Sequence, residues 1–190
     1  MPNLTTIKYL TQDEMRRLLK AITSKRDKAL FLLAYRHGLR ASEMGMLRVD
    51  DVDLGRGRIR IARLKNSQGG EQVMQLDEMK AVKAWLKERP NSNSILFPSK
   101  EGWPISRRTL DYHMKRYGEA AGIPADKRHF HVLKHTCATH ILDAGGDLRF
   151  CQDWLGHKNI QNTVIYASIS NRARDDQARR VFASGMIARE

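Results

Sequence analysis

The stretch from His129 to Tyr166, HFHVLKHTCATHILDAGGDLRFCQDWLGHKNIQNTVIY, constrains this chain more than any other. Val132, Leu133, Cys137, Ala138, Ile141 and Leu142 recur at helical spacing, which predicts a buried helix. His131 and Lys134 stand at its start, three residues apart and so on one face. Gly145 and Gly146 stop the helix, Asp147 is placed to cap the next one over 148–155, and Gly156 closes it. His157 follows where the chain must turn, and the apolar pair Val164–Ile165 carries Tyr166. Imidazoles, an ammonium and a phenol are thus delivered from successive helix ends, so that groups from separate segments can converge on one pocket.

The rest of the chain reads as mainly α with a small antiparallel β-sheet, an α+β fold. Thr11 and Glu14 have capping-box spacing at the head of a helix over 12–22. A second helix is expected over 25–37, with Gly38 past its end. A short helix from Ala41 buries Met44 and Leu47. The period then changes to two: RIRIARLK (58–65) and EQVMQL (71–76) predict strands, with Ile59, Ile61 and Leu64 marking the first and a hairpin loop between them. Residues 49–54 are the expected third strand. Helices follow over 77–88, ended by Pro90, and over 107–121, with Ile105 and Ser106 as staple and cap. A charged helix over 171–182 has few apolar anchors.

A chain of 190 residues suits one domain. Lys and Arg number 34 against 21 acidic residues, a net charge of +13 spread along the chain. That excess points to nucleic acid, because neutralising phosphates releases condensed counterions. The helix over 107–121 concentrates it in Arg107, Arg108, Lys115 and Arg116, with His113 beside them, and is the expected DNA-contacting element. Cys137 and Cys151 form no CxxC pair and read as buried thiols of a reducing cytoplasm. No apolar run approaches the roughly 20 residues of a membrane span, and no signal-peptide core opens the chain. The expected location is cytoplasmic.

Several chemistries are disfavoured. His131 and His135 are four apart, but Val132 stands where a zinc protease helix needs glutamate. No G-x-S-x-G elbow and no phosphate-binding glycine loop is present. What remains is an ensemble of cations around a phenol. Arg40, Lys65, His131, Lys134 and His157 are suited to holding phosphoryl oxygens as charge builds in a transition state. Tyr166 is a candidate for the nucleophile of a covalent intermediate. Each signal alone has a plain structural reading: a tyrosine on an apolar helix belongs to a core, and Arg40 pairs with Glu43.

In order and local context this set resembles the tyrosine recombinase (phage integrase) family. The matching pieces are GLRASEMGML around Arg40, RLKNSQGG around Lys65, HVLKHTCATH around His131 and Lys134, LGH ending at His157, and Tyr166 nine residues later. The resemblance covers about residues 8–170. It implies a catalytic domain over 1–170 without a preceding core-binding domain, followed by a polar helical tail over 171–190 that docks on a neighbouring protomer. It implies that Tyr166 attacks the scissile phosphate and leaves a 3′-phosphotyrosyl link, while Lys65 protonates the departing 5′-hydroxyl. Arg40 and His157 would hold the non-bridging oxygens, His131 would assist proton transfer, and Glu43 would brace the site. No metal, ATP or other cofactor is needed, since the bond energy is kept in the link. The implied partners are double-stranded DNA, three further copies in a homotetramer on DNA (with a monomer when free), and accessory DNA-bending proteins at the nucleoid of a prokaryotic or phage host. Position 134 departs from the pattern: lysine stands where the family most often has arginine, keeping the charge and losing the bidentate fork. Two other readings share these residues: a catalytically impaired DNA-binding regulator, and a nickase resembling type IB topoisomerases.

Overall fold

The computed structural model describes residues 7–64, 69–90 and 94–167, together with residues 175, 178, 179 and 182. Helices α1 (Gln12–Ala21) and α2 (Lys25–Arg36) open the fold. At the head of α1 the Glu14 N–H donates to the Thr11 hydroxyl (3.1 Å) and the Thr11 N–H to the Glu14 carboxylate (2.7 Å), the reciprocal box the spacing predicts. Past α2, Gly38 adopts φ +56°, a left-handed conformation open to glycine at little cost, and this turn leads into α3 (Ala41–Met46).

Strands β1 (Val52–Asp53), β2 (Arg58–Ile61) and β3 (Gly70–Val73) form one antiparallel sheet in the order β1-β2-β3. All three are shorter than their sequence patterns. Residues 49–51 close a 3-10 turn instead of extending β1, because the Asp51 carboxylate accepts the Arg48 N–H at 2.9 Å. The β2–β3 ladder stops at Ile61 opposite Gly70, and Arg63 leaves it to turn inward. Beyond Val73 the chain enters α4 (Leu76–Leu86) through Met74 and Gln75. Lys65, most of the hairpin tip and nearly all of the 171–190 tail lie outside the described residues.

The second half carries α5 (Arg107–Ala120), α6 (Val132–Asp143), α7 (Leu148–Leu155) and α8 (Gln161–Ala167). The expected caps are in place: the Ser106 hydroxyl accepts from the Thr109 N–H, and the Asp147 carboxylate from the Phe150 N–H. A large core gathers Leu10, Leu18, Phe31, Leu39, Phe97 and Phe130, with the Phe31 ring edge-on to Tyr117 and Phe130. A smaller one holds Cys137, Ala138, Leu142, Cys151, Leu155 and Tyr166. Helix α6 feeds both, Val132 and Leu133 into the first and Cys137 onward into the second, so it is buried nearly all round. Both cysteines are free, buried thiols, and burial pushes each up to about 12. Among the described residues no helix is long and apolar enough to cross a membrane.

Candidate active site

Arg40 sits at the head of α3, two residues beyond Gly38, with its side chain partly exposed. Its backbone N–H and its guanidinium both donate to the buried Glu43 carboxylate, at 2.8 and 2.7 Å. Arg63, its side chain buried, donates at 2.9 Å to Oε2 of the same carboxylate, the oxygen that also accepts the Arg40 backbone N–H. Burial alone would raise the Glu43 carboxyl, but the Arg40 N–H and the charges of Arg63 and Lys134 outweigh it and hold the group ionised below the ordinary range.

Lys134 is 2% exposed, and its ammonium donates to the carbonyls of Gly38 (3.0 Å) and Leu155 (3.2 Å). Burial, then the neighbouring charges of Arg63 and Arg40, bring it down to about 7. His157 is buried just past the left-handed Gly156 (φ +66°) that ends α7, with Nδ1 2.9 Å from the Thr163 hydroxyl. Burial and the charges of Lys134, Arg40 and Arg63 lower it to about 3, so it stays neutral near pH 7. His131 keeps an exposed edge at the head of α6, and partial burial with the Lys134 and Arg40 charges holds it to about 4. Arg40 thus acts electrostatically on both histidines and on Tyr166, which marks these groups as neighbours of one charge.

Tyr166 projects from α8 into the smaller core and is 2% exposed. Its hydroxyl lies 2.8 Å from Nδ1 of His135, whose ring meets His131 edge-on at 4.6 Å between centroids. Burial raises the phenol well above its usual range and lowers His135 to about 4, so a neutral His135 shares this hydrogen bond with the tyrosine hydroxyl, the imidazole tautomer setting its direction. Of the sequence candidates, then, Arg40, Glu43, Lys134, His131, His157 and Tyr166 gather around the meeting point of α3, α6, α7 and α8, and Lys65 lies outside the described residues.

Two participants were missed in the sequence. The sequence offers His135 only as a metal ligand, and among the described residues no three His, Cys, Asp or Glu side chains gather to hold a metal ion. Arg63 continues the inward positions of Ile59 and Ile61 at a spacing of two, so its burial is legible in the strand period, although Leu64 is the apolar residue there. On α5, Arg107, Arg108, Lys115 and Arg116 are all exposed. Arg116 is held over the Tyr117 ring at 4.5 Å, and His113 stacks on the same ring while facing inward, 3.6 Å from Asp27 and 3.2 Å from an Arg26 nitrogen. An apolar-walled cleft of about 840 Å³, bounded by Met15, Tyr35, Val73, Ile141, Phe150 and Trp154, includes none of the candidate catalytic side chains.

A mostly helical domain with a three-stranded sheet and this set of cations around a buried tyrosine is a tyrosine recombinase catalytic domain. Solved structures agree. The crystal structure of XerA recombinase superposes with a TM-score of 0.80 at 29% identity, covering 96% of this chain and 66% of that one. XerH site-specific recombinase bound to palindromic difH substrate, a post-cleavage complex, gives a TM-score of 0.78 at 24% identity over 91% of this chain and 53% of that one. The chain belongs to the phage integrase family, whose model matches residues 8–172. The type 1 fimbriae regulatory protein FimE of Escherichia coli K12 is 39% identical over 176 residues, 88% of either chain. Tyrosine recombinase XerA of Thermococcus kodakarensis is 37% identical over 170 residues, and there the match spans 58% of the longer protein. This chain is a tyrosine-type site-specific recombinase.

Proposed function

We propose that the chain cleaves and rejoins double-stranded DNA with Tyr166 as nucleophile. The Tyr166 oxygen forms a bond to the scissile phosphorus, the bond to the 5′-oxygen breaks, and a proton delivered to that oxygen leaves a free 5′-hydroxyl. In this reading Lys65 supplies that proton, and Arg40 and His157 hold the non-bridging oxygens as charge develops on them. His131 assists proton transfer at the exposed edge, and Glu43 fixes Arg40. In this reading His135, in the tautomer with a bare Nδ1, accepts the phenolic proton across the 2.8 Å contact. A 5′-hydroxyl from another strand reverses the link, so no cofactor enters the balance.

The observation that carries this reading is the charge shared across the site: Arg40 acts on Tyr166 and, together with Lys134, on His131 and His157, while the tyrosine hydroxyl is hydrogen-bonded to His135. Double-stranded DNA is the proposed substrate and Arg107, Arg108, Lys115 and Arg116 the proposed backbone contacts, supported by their exposure on α5 and by the chain's net charge of +13. The division into a catalytic domain over 1–170 and a docking tail over 171–190 belongs to the same proposal. So do the homotetramer on DNA, the accessory DNA-bending proteins and the nucleoid location, all of which follow from the family resemblance. The test is covalent trapping on nicked duplexes tiled across the DNA flanking the gene, resolved on denaturing gels. A protein–DNA adduct is the expected result, and its cut position gives the site. DNA bound tightly and never captured would instead identify a non-cutting DNA-binding regulator.

A further inference from the structure

Arg63 and Lys134 are two buried cations that the chemistry above leaves without a step. Arg63 is 1% exposed at its side chain. Its Nη1 donates to the Gly38 carbonyl (3.2 Å) as well as to Glu43, and its Nη2 donates to the carbonyls of His37 (2.7 Å) and Trp154 (2.9 Å). Lys134 donates to Gly38 and Leu155. The four carbonyls come from only two places: the turn that ends α2, and the last turn of α7. Arg40 lies two residues past Gly38, and His157 two residues past Leu155.

We infer that Arg63 and Lys134 form a cationic clasp that fixes the turn carrying Arg40 against the turn carrying His157, and that both are positioning residues for the phosphate site. Helix C-termini present unpaired carbonyls and the negative end of the helix dipole, so cations bridging two such ends satisfy both at once. Gln72 adds a neutral donor to the same seam, at 2.7 Å from the Trp154 carbonyl. Stability alone is a poor reason for the arrangement. Arg63 and Lys134 repel each other in a buried site where Glu43 is the carboxylate between them and Arg40. Preorganisation is a better reason, since a catalytic donor displaced by about 1 Å costs roughly 100-fold in rate. The clasp also accounts for lysine at position 134. The carbonyls of Gly38 and Leu155 need a compact donor between them, and the planar fork beside it is already supplied by Arg63.

The inference rests on the recombinase reading, and the two can fail separately. Single-turnover adduct formation on nicked duplexes from the flanking DNA, and DNA affinity at fixed salt, would be measured for Arg63→Met and Lys134→Met, each alone and combined with Arg40→Ala. Each single variant is expected to lose roughly 100-fold in adduct rate with affinity nearly unchanged. Added to Arg40→Ala, each is expected to cost little more, because the donor it positions is already gone. Losses that multiply with Arg40→Ala would show independent roles and overturn the clasp, as would full rates in folded single variants. Where Arg63→Met does not melt cooperatively, Arg63→Lys keeps the charge without the fork and should show an intermediate loss. If that variant is also unfolded, Arg63 serves stability and the clasp fails. No adduct from the wild type would sink the recombinase reading itself.

Discussion

Gly38 is the hinge of the site, and replacing it tests whether the turn before Arg40 is as closely packed as the structure has it. A Cβ placed there would lie 2.3 Å from Leu155 Cδ2, on a backbone with φ +56°. Ordinary carbon contacts fall near 3.5–4.0 Å, and Leu155 is 0% exposed, so it must change rotamer inside a packed core. The left-handed backbone costs alanine about 1–2 kcal/mol, and overpacking adds about 1–3 kcal/mol. A total near 3 kcal/mol lowers the melting temperature of a chain this size by roughly 6–12 °C. The assay is thermal unfolding of Gly38→Ala beside Gly70→Ala, where a Cβ would meet nothing within 4 Å. Because Leu155 leads into His157, the adduct rate of the Gly38 variant should also fall below that of the Gly70 variant. Wild-type melting and wild-type rate in Gly38→Ala would refute the packing argument.

Three further outcomes are expected. His157 and His135 are held to about 3 and about 4 against an ordinary 6.5, so the unfolded chain binds more protons than the folded one below 6.5. Stability should therefore be intact above that pH and fall as pH drops toward 4, and a urea midpoint flat across this range would contradict the burial of these rings. Glu43→Gln leaves Arg63 buried without its anion and should cost about 3–5 kcal/mol in urea unfolding, far more than the same change at the exposed Glu119. Removing Arg107 or Lys115 should lower the slope of log affinity against log salt by about one each, whereas removing the half-buried His113 should leave it unchanged.

Local rules made much of this fold readable. The caps at Thr11, Ser106 and Asp147 and the glycine stops at Gly38 and Gly156 depend on neighbours a few residues away, and the helices expected over 12–22, 25–37, 77–88, 107–121 and 148–155 lie within one or two residues of those bounds, whereas the sequence shows α8 only as a short apolar run. The strand patterns overrun the observed strands because strand ends depend on partners: β2 ends opposite the first residue of β3, and Arg63 is drawn out of the ladder by a carboxylate 20 residues upstream. The site was legible as a set of residue types and not as a set of contacts. Nothing near Lys134 in the chain announces that its ammonium will meet carbonyls 96 residues earlier and 21 later. Nor does His135 reveal a tyrosine partner 31 residues on, since a helical histidine reads the same whether it faces a metal, a phenol or solvent.

The most direct test of the central claim is to identify the residue that carries the DNA. The trapped adduct would be digested with nuclease and protease and its peptides sequenced by mass spectrometry, beside Tyr166→Phe. That variant loses one buried hydrogen bond, worth about 1 kcal/mol, and should fold and bind DNA while capturing none. The account predicts a nucleotide phosphodiester on Tyr166 of the wild type and on no other residue. A nucleotide on another side chain, or an adduct that persists in Tyr166→Phe, would contradict it.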